Sequence, residues 1–233
     1  MVANFKYYAP ATITELCKLL DENQPTAKIL AGGTDILVDI RAGIKNPSAL
    51  IDIKKIKELN ELKFDKKDGL SIGAAVTCNQ LINDKIAHNK YKLLADCAET
   101  IASYQLRNRA TIIGNLCNAS PCAGMTPGLL CLDASVEIIS SAGSRIIKLL
   151  DFFAGVKKTK LQPNEFVARV IVPASSADAK AGVLKQKRIK GHDIALITVT
   201  MAIVNKKIYV AIGSAAETVV LLKPFQLNAK CES

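Results

Sequence analysis

The sequence predicts an α+β fold, because helical and strand patterns alternate along the chain and most of the strands pair through hairpins. The chain has 233 residues, of which 49% are hydrophobic, enough to bury a substantial core. Some segments repeat apolar residues at helical spacing, and others are short apolar runs bounded by turn residues. The length fits one large domain or two small ones.

The first predicted helix begins at Thr12, which has capping-box spacing to Glu15. Its apolar face consists of Ile13, Leu16, Cys17, Leu19 and Leu20. We expect this helix to end near Pro25. The apolar run at residues 27–31 then predicts a strand that leads directly into Gly32 and Gly33. This glycine pair is therefore expected at the carboxyl end of a strand.

The next segments predict a strand, a hairpin and two helices. Residues 49–53 form a short apolar run, and residues 62–72 predict a hairpin that turns at Asp68 and Gly69. Thr77 and Gln80 have capping-box spacing and predict a helix that continues through Ile86. A further helical stripe follows, formed by Tyr91, Leu93, Leu94, Cys97, Ala98 and Ile101.

The last third of the chain predicts two more hairpins. Residues 134–149 pair around a Ser-Ala-Gly-Ser turn, and residues 194–212 pair around Asn205 and Lys206. Between them, residues 173–180 lose the apolar pattern and predict a domain boundary. A hairpin is therefore expected beyond this boundary.

Two segments combine glycine with small hydroxylated residues beside apolar runs. The first glycine segment, residues 31–36, reads A-G-G-T-D-I, and the second, residues 111–121, reads T-I-I-G-N-L-C-N-A-S-P. Glycine lets backbone N–H groups approach a ligand closely. Alone, the first segment is also typical of an ordinary turn, and Ser120 with Pro121 is typical of a helix start. Together, the two segments predict one bound phosphate-rich molecule.

The two segments, with Gln105-Leu106-Arg107-Asn108 ahead of the second, resemble the FAD-binding subunit of the molybdenum hydroxylases. That family includes xanthine dehydrogenase and carbon monoxide dehydrogenase, and its motifs read A-G-G-T-D-L and T-I-G-G-N-x-x-N-A-S-P-x-x-D. The resemblance implies a two-lobed PCMH-type FAD-binding domain over residues 1–175. It also implies a truncated antiparallel-sheet C-terminal domain over residues 181–217 and a divergent tail over residues 218–233.

The resemblance places FAD between the two glycine segments. The cofactor-binding positions it implies in the first are Ile29, Leu30, Ala31, Gly32, Gly33, Thr34, Asp35 and Ile36, and those in the second are Thr111, Ile112, Gly114, Asn115 and Ser120. Val167 matches a residue that lies against the flavin. Lys185 matches a lysine that approaches the isoalloxazine ring, where a cation would stabilise the anionic reduced flavin. From the residues alone, Lys185 is equally well interpreted as a surface strand lysine.

Three positions depart from the family pattern. Ile113 replaces the first glycine of T-I-G-G-N and puts a β-branched side chain on a backbone expected to have unusual dihedrals. Gly124 replaces the expected acidic residue, and Ser103 stands where glycine is usual. Restoring Ile113→Gly and Gly124→Asp is therefore expected to tighten FAD binding. The alternative is a non-catalytic structural subunit with a degenerate flavin site.

The resemblance also implies the partners. This chain would be the medium subunit, beside a large subunit with the molybdenum cofactor and a small subunit with 2Fe-2S clusters. Electrons would pass from the clusters through FAD to NAD or another acceptor. No catalytic residue or metal ligand is expected in this chain, since a flavin itself carries the redox chemistry. The substrate of the complex is not encoded here.

Charge and cysteine content bear on the other classes of function. The net charge of +10 suggests nucleic-acid binding, but the basic residues are spread along the chain, which favours a solvated face or a docking surface for an acidic partner. Seven cysteines without a C-x-x-C pair favour free thiols, although Cys117, Cys122 and Cys131 could supply three metal ligands. His88 is expected at the surface and His192 in a turn.

The chain has no apolar run long enough to span a bilayer and no secretory signal at its N-terminus. We therefore expect no membrane insertion and a cytoplasmic location. No nucleic acid is expected as a partner.

Overall fold

The computed structural model describes residues 4–191 and 193–226. His192 and residues 227–233 of the predicted tail lie outside the described residues. The helices are α1 (Ile13–Glu22), α2 (Ile36–Arg41), α3 (Cys78–Asn83), α4 (Lys85–Lys90), α5 (Lys92–Glu99), α6 (Tyr104–Arg107), α7 (Ile112–Cys117) and α8 (Thr126–Cys131). The strands are β1 (Lys6–Tyr8), β2 (Lys28–Leu30), β3 (Ala49–Asp52), β4 (Leu62–Asp65), β5 (Gly69–Gly73), β6 (Ser135–Ser140), β7 (Gly143–Lys148), β8 (Phe153–Gly155), β9 (Lys158–Thr159), β10 (Phe166–Val172), β11 (Lys180–Gln186), β12 (Ile197–Val204), β13 (Lys207–Gly213), β14 (Val220–Leu221) and β15 (Phe225–Gln226).

The first sheet is parallel and three-stranded, in the order β1-β3-β2. The predicted first helix is confirmed as α1, which packs against β3. Thr12 caps it, because the Thr12 hydroxyl accepts a hydrogen bond from the Glu15 N–H, while the Glu15 carboxylate accepts one from the Ala11 N–H at 2.9 Å. All four residues of β3 are buried, so this strand is the centre of the first lobe.

The second sheet is antiparallel and five-stranded, in the order β4-β5-β10-β6-β7. It contains two of the predicted hairpins, β4-β5 and β6-β7, which are confirmed. Their turns comprise residues 66–68, with Gly69 already in β5, and residues 141–142. Strand β10 joins them and carries a bulge between Val167 and Arg169. At the bulge, Ala168 O accepts a hydrogen bond from Ala74 N at 3.0 Å.

Helices α3 to α8 lie between β5 and β6 in the chain; α7 contacts β10 of the second sheet, α5 contacts β11, and α8 contacts β12 and β13. Thr77 and Gln80 form the predicted capping box of α3. The expectation of one helix through Ile86 is wrong, because α3 ends at Asn83 and the Asp84 carboxylate accepts from two N–H groups that begin α4. The predicted stripe from Tyr91 is confirmed as α5, whose buried face joins the main core. Among the described residues, no helix has both the length and the hydrophobicity that crossing a bilayer requires.

The third sheet is antiparallel, in the order β11-β12-β13-β14, with β15 also paired to β13. Its predicted hairpin is confirmed: Asn205 and Lys206 connect β12 to β13 with φ values of +49° and +62°. One face packs on α8 and buries Ala202 and Ala211 in the same core that lies under the second sheet. The described chain thus has a mixture of helices and mostly antiparallel strands, which confirms the α+β class.

Candidate functional site

The first glycine segment connects the carboxyl end of β2 to α2, as expected from the sequence. Gly33 has a φ of +79°, a left-handed conformation that glycine adopts readily. Among the described residues, no backbone carbonyl accepts a hydrogen bond from the N–H groups of Gly33, Thr34 or Asp35. Asp35 precedes α2 without a side-chain cap. Three successive N–H groups without a backbone acceptor, the first of them on a left-handed glycine, are donors available to an anion.

Gly32 fixes where the first glycine segment lies. A Cβ atom at this position would be 2.0 Å from the carbonyl oxygen of Arg109 and 3.1 Å from the Cα of Ala110. The two backbones can approach this closely only because Gly32 has no side chain. The two glycine segments, 80 residues apart from Ala31 to Thr111 in the sequence, are therefore neighbours in space.

The second glycine segment begins as a helix rather than as an open loop. Thr111 is the N-cap of α7, and its hydroxyl accepts from Gly114 N at 3.0 Å. A Cβ on Gly114 would lie 2.7 Å from that hydroxyl, so the capping hydrogen bond fits here because residue 114 is glycine. Thr111 and Ile112 are buried, and Asn115 Oδ1 accepts from Met125 N at 3.1 Å. The side chains of Thr111 and Asn115 therefore already accept hydrogen bonds from Gly114 N and Met125 N, and their hydrogen bonds to a ligand stay a prediction.

The expectation that Ile113 has unusual dihedrals is wrong. Ile113 lies inside α7, is only 4% exposed and belongs to the main hydrophobic core. A β-branched residue fits a helix at a modest cost in propensity. The departure from the family motif at this position is therefore a matter of core packing.

After α7 the chain turns sharply instead of starting a helix at Pro121. Ala119 has a φ of +45° and is buried, a conformation that costs a non-glycine residue about 1–2 kcal/mol. The Ser120 hydroxyl accepts from Cys122 N at 3.3 Å, and Pro121 O accepts from Ser214 N at 2.9 Å. The last contact ties this turn to the third sheet.

Lys185 reaches the same neighbourhood from β11. Its ammonium group donates to the carbonyl oxygen of Thr100 at 3.0 Å. A Cβ on Gly124 would lie 3.3 Å from the Thr100 hydroxyl and 3.0 Å from Ile101 Cγ1, so the position that lacks the expected carboxylate is close to Lys185. Burial, and to a smaller extent Lys187, lowers the pKa of Lys185 below its ordinary value.

The structure shows why serine is tolerated at position 103, where glycine is usual in the family. Ser103 has a φ of −98° and caps α6, so it needs no glycine. The left-handed residue of this turn is Ala102, with a φ of +40°. Sequence reasoning also missed the role of Arg107, whose guanidinium donates to the carbonyl oxygens of Glu99, Ile101 and Ala102 at 2.9–3.3 Å. The Gln-Leu-Arg-Asn motif, which contains Arg107, was the sequence signal that could have predicted these hydrogen bonds.

The remaining predicted positions lie in the flanking structure. Ile29 and Leu30 belong to β2, and Ile36 begins α2 and packs with Leu30 in a small satellite core. Val167 is 3% exposed and lies in the main core at the bulge of β10. Its contact with a flavin stays a prediction.

Two further features lie apart from these residues. A cleft of about 470 Å³ is lined by amide side chains that include Asn60, Asn79 and Asn108, and none of the predicted site residues is among its lining.

The suggested metal ligands Cys117, Cys122 and Cys131 do not assemble, because the described residues contain no group of three metal-ligating side chains. The Cys131 thiol is instead buried and donates to Thr200 O at 3.4 Å.

Paired glycine segments with backbone N–H donors that have no described acceptor are typical of α+β proteins that bind a phosphate-containing cofactor. A family model described as the FAD binding domain in molybdopterin dehydrogenase matches residues 3–175. The chain belongs to this family. The cofactor of the family is FAD, and its members are oxidoreductase components.

Individual relatives agree with this assignment. The chain is 33% identical over 199 residues to the glyceraldehyde dehydrogenase medium chain of Sulfolobus acidocaldarius, covering 85% of this chain and 69% of the relative. It is 35% identical over 167 residues to the xanthine dehydrogenase FAD-binding subunit of Escherichia coli O157:H7, covering 72% and 57%. Among solved structures, carbon monoxide dehydrogenase from Hydrogenophaga pseudoflava matches with a TM-score of 0.89 and 30% identity, over 95% of this chain and 78% of that one.

The residues present fit FAD. The N–H groups of Gly33, Thr34 and Asp35 suit a pyrophosphate, because they have no backbone acceptor among the described residues and can donate hydrogen bonds to its negatively charged oxygens. Lys185 adds a cation where the third sheet meets Thr100. The carboxylate expected at position 124 is absent, and hydrogen bonds from Thr111 and Asn115 to FAD stay a prediction.

Proposed function

We propose that this chain is the FAD-carrying medium subunit of a xanthine dehydrogenase-like molybdenum hydroxylase complex, passing electrons from 2Fe-2S clusters to NAD or another acceptor. The observation that carries the proposal is the contact of Gly32 with Arg109, which brings the two glycine segments together. Bound FAD would supply the conversion between single-electron and two-electron transfer. The chain itself would bind, orient and polarise the cofactor.

The proposed roles of the residues follow from their chemistry. The backbone donors of the first glycine segment would bind the pyrophosphate, and residues 111–115 of the second would lie on the other side of the dinucleotide. Lys185, which donates a hydrogen bond to Thr100 O, would place positive charge near the ring system and so favour an anionic ring. No residue of the chain needs to exchange a proton for this role.

The partners, location and domain division belong to the same proposal. We propose a large molybdenum-cofactor subunit and a small 2Fe-2S subunit as partners, since the relatives include medium chains of dehydrogenases. A cytoplasmic location is supported by the six described cysteines, all of which are free thiols. Residues 1–175 would be the FAD-binding domain, residues 181–217 a partial C-terminal domain and residues 218–233 a divergent tail.

Flavin retention tests the proposal most directly. The purified chain is incubated with FAD and desalted, and bound FAD is measured against protein. We expect about one FAD per chain, with a spectrum perturbed from that of free flavin. Anaerobic NADH should then bleach the bound flavin if NAD is the acceptor, while NADPH serves as the matched control. If dithionite reduces the bound flavin and NADH does not, NAD is excluded as the electron acceptor, and the proposed electron-transfer role of the flavin is retained.

A structural subunit with a degenerate flavin site is the second candidate, favoured by the absence of a carboxylate at Gly124. It predicts that the folded chain retains no FAD yet assembles with its partner subunits. Co-expression with the genes of a large and a small subunit distinguishes the two, because a complete flavin site gives a complex that contains FAD.

A further inference from the structure

The turn at the end of α5, residues 99–102, is held by two cationic side chains. The Nη1 atom of Arg107 donates to three of its four carbonyl oxygens, at 2.9–3.3 Å. The remaining carbonyl, that of Thr100, accepts from the ammonium group of Lys185 at 3.0 Å. Carbonyl groups at the end of a helix lack partners within the helix and attract cations. Arg107 and Lys185 are therefore bound to the same short turn.

Turn 99–102 also adjoins the candidate site. A Cβ atom on Gly124 would lie 3.3 Å from the Thr100 hydroxyl and 3.0 Å from Ile101 Cγ1. Ala102 has a φ of +40°, a conformation that alanine rarely adopts. Contacts from outside the turn must therefore stabilise it, and the three hydrogen bonds from Arg107 are such contacts.

The guanidinium of Arg107 is itself fixed by a buried amide. Asn79, in α3, is 5% exposed, and its Oδ1 accepts from Arg107 Nε at 3.3 Å. The Asn79 Nδ2 donates to Tyr104 O at 2.9 Å and to Asn108 Oδ1 at 2.7 Å, which uses both amide hydrogens. Arg107 therefore connects helix α3 to turn 99–102.

Neither cation is paired with an acid. In the part of the chain that the structure describes, the ion pairs within 4.0 Å involve other residues. Lys185 is half-buried, and among the described residues Thr100 O is the only hydrogen-bond acceptor of its ammonium group. The position of this unpaired positive charge therefore depends on the position of Thr100.

We infer that Arg107 is a positioning residue for the cofactor: it holds turn 99–102 so that Thr100 O fixes the ammonium group of Lys185 beside the flavin ring. This role rests on the proposed function, in which Lys185 lies near the ring system. Arg107 acts through Lys185 and needs no contact with FAD. Without Arg107, the ammonium group loses its fixed acceptor, and an anionic ring is less well stabilised.

The first test needs no flavin and uses the whole 233-residue chain. Reductive methylation with formaldehyde and dimethylamine–borane is followed at each lysine by mass spectrometry. Arg107→Gln should raise the rate at Lys185 about fivefold, the effect of one lost hydrogen bond, and leave the exposed Lys180 of the same strand unchanged. Arg145→Gln is the matched control, because Arg145 donates to Lys160 O and to Glu165 on the second sheet and should leave Lys185 unchanged.

The second test measures the reduction potential of bound FAD. Lys185→Met should lower it by about 30 mV, a tenfold change in the equilibrium of a two-electron couple. Arg107→Gln should lower it in the same direction, and so should Arg107→Lys, which keeps the charge but loses the Nε contact with Asn79. In the Lys185→Met background, Arg107→Gln should have no further effect, since it acts through Lys185.

Three outcomes would overturn the inference. The methylation rate of Lys185 stays unchanged in Arg107→Gln, or Arg107→Lys keeps the original potential, or the two substitutions lower the potential additively. If circular dichroism shows that Arg107→Gln does not fold, Arg107→Lys decides both tests. A potential that Lys185→Met leaves unchanged contradicts the proposed place of Lys185 near the ring, and the methylation rate still decides whether Arg107 holds Lys185.

Discussion

Gly32 and Gly33 are adjacent, but the lack of a side chain serves a different purpose at each. Gly32 permits contact between two backbones, since a Cβ would be 2.0 Å from Arg109 O. Gly33 permits a left-handed turn, and its N–H and the two N–H groups that follow have no backbone acceptor among the described residues. The first determines where the two glycine segments meet, and the second determines what they can bind.

Gly33→Ala should weaken FAD binding while costing the fold about 1–2 kcal/mol, because alanine is strained at a φ of +79°. Gly43→Ala is the matched control, since Gly43 has a φ of +72° and a Cβ added there would have no other atom within 4 Å. Gly33→Ala should lose at least as much stability in urea as Gly43→Ala, because its Cβ would also be 3.0 Å from Leu37 Cδ1 and 3.2 Å from Leu30 Cδ1, and only Gly33→Ala should release FAD on desalting. Equal FAD retention by the two would remove Gly33 from the site.

Ile113→Gly should destabilise the protein instead of improving its flavin site. The variant removes a core side chain that is 4% exposed and places glycine inside a helix, at a combined cost of about 3–6 kcal/mol. Ile113→Val, which keeps most of the side chain, should cost about 1 kcal/mol. Urea unfolding measures both, and a stable Ile113→Gly protein with tighter FAD binding would restore the sequence-based expectation.

Gly124→Asp should strengthen FAD binding about fivefold if the carboxylate gains one hydrogen bond worth about 1 kcal/mol. No left-handed φ opposes the substitution, and the closest contact of the new side chain would be Ile101 Cγ1 at 3.0 Å from its Cβ. Gly124→Asn controls for shape without charge, and Gly124→Ala for the close contact alone. Equilibrium titration with FAD would contradict the expectation if Asp bound no better than Ala.

At the scale of elements, turns and caps determine where strands and helices begin. The hairpin between β12 and β13 has Asn205 and Lys206 at positive φ, the arrangement in which glycine is preferred at the second position. Lys206→Gly should therefore stabilise the protein by about 1 kcal/mol. The urea midpoint should rise at unchanged slope; a fall would show that the Lys206 side chain makes a larger contribution than its backbone costs.

Local signals of this kind explain which elements the sequence can predict. The capping residues Thr12 and Thr77 and the three hairpin turns act over a few residues, so their signals are complete in the sequence. The split between α3 and α4 is harder to predict, because the apolar pattern continues past Asp84 and hides its role as a cap.

The candidate site is less predictable because its geometry depends on distant contacts. The glycine motifs indicate which residues matter, but the family motif alone suggests a loop where the cap formed by Thr111 begins α7. The contact of Gly32 with Arg109 joins segments far apart in the chain, and no local pattern encodes such a distance. Left-handed Ala102 and Ala119 are likewise imposed by tertiary structure, since alanine has no preference for that conformation.

At the scale of the whole molecule, buried thiols make stability depend on pH. Burial raises the pKa of Cys78, Cys97 and Cys131 from 9.0 to about 12. In the unfolded chain these thiols lose their protons at a lower pH than in the folded protein. The folded state therefore binds more protons between about pH 9 and about pH 12, and the free energy of unfolding must fall as pH rises through that range.

Urea unfolding between about pH 7 and about pH 10 should show this fall, by up to about 1.4 kcal/mol per pH unit for each thiol. Lys185, whose pKa is lowered, acts in the opposite direction but is a single group. Cys97→Ala should reduce the slope, and the exposed-site variant Ile146→Thr should leave it unchanged. A stability that is flat or rising above about pH 9 would mean that the thiols ionise in the folded protein.

The third sheet is fastened to the neighbourhood of the second glycine segment by two hydrogen bonds. Lys185 donates to Thr100 O, and the N–H of Ser214 donates to Pro121 O. A ligand that orders Thr100 and Pro121 must, by thermodynamic linkage, make the sheet harder to detach, and the sheet must in turn hold the ligand more tightly. The rate at which a protease cleaves β11 to β13 should therefore fall as more of the protein binds the cofactor. This rate reports cofactor binding from a part of the chain far from the first glycine segment.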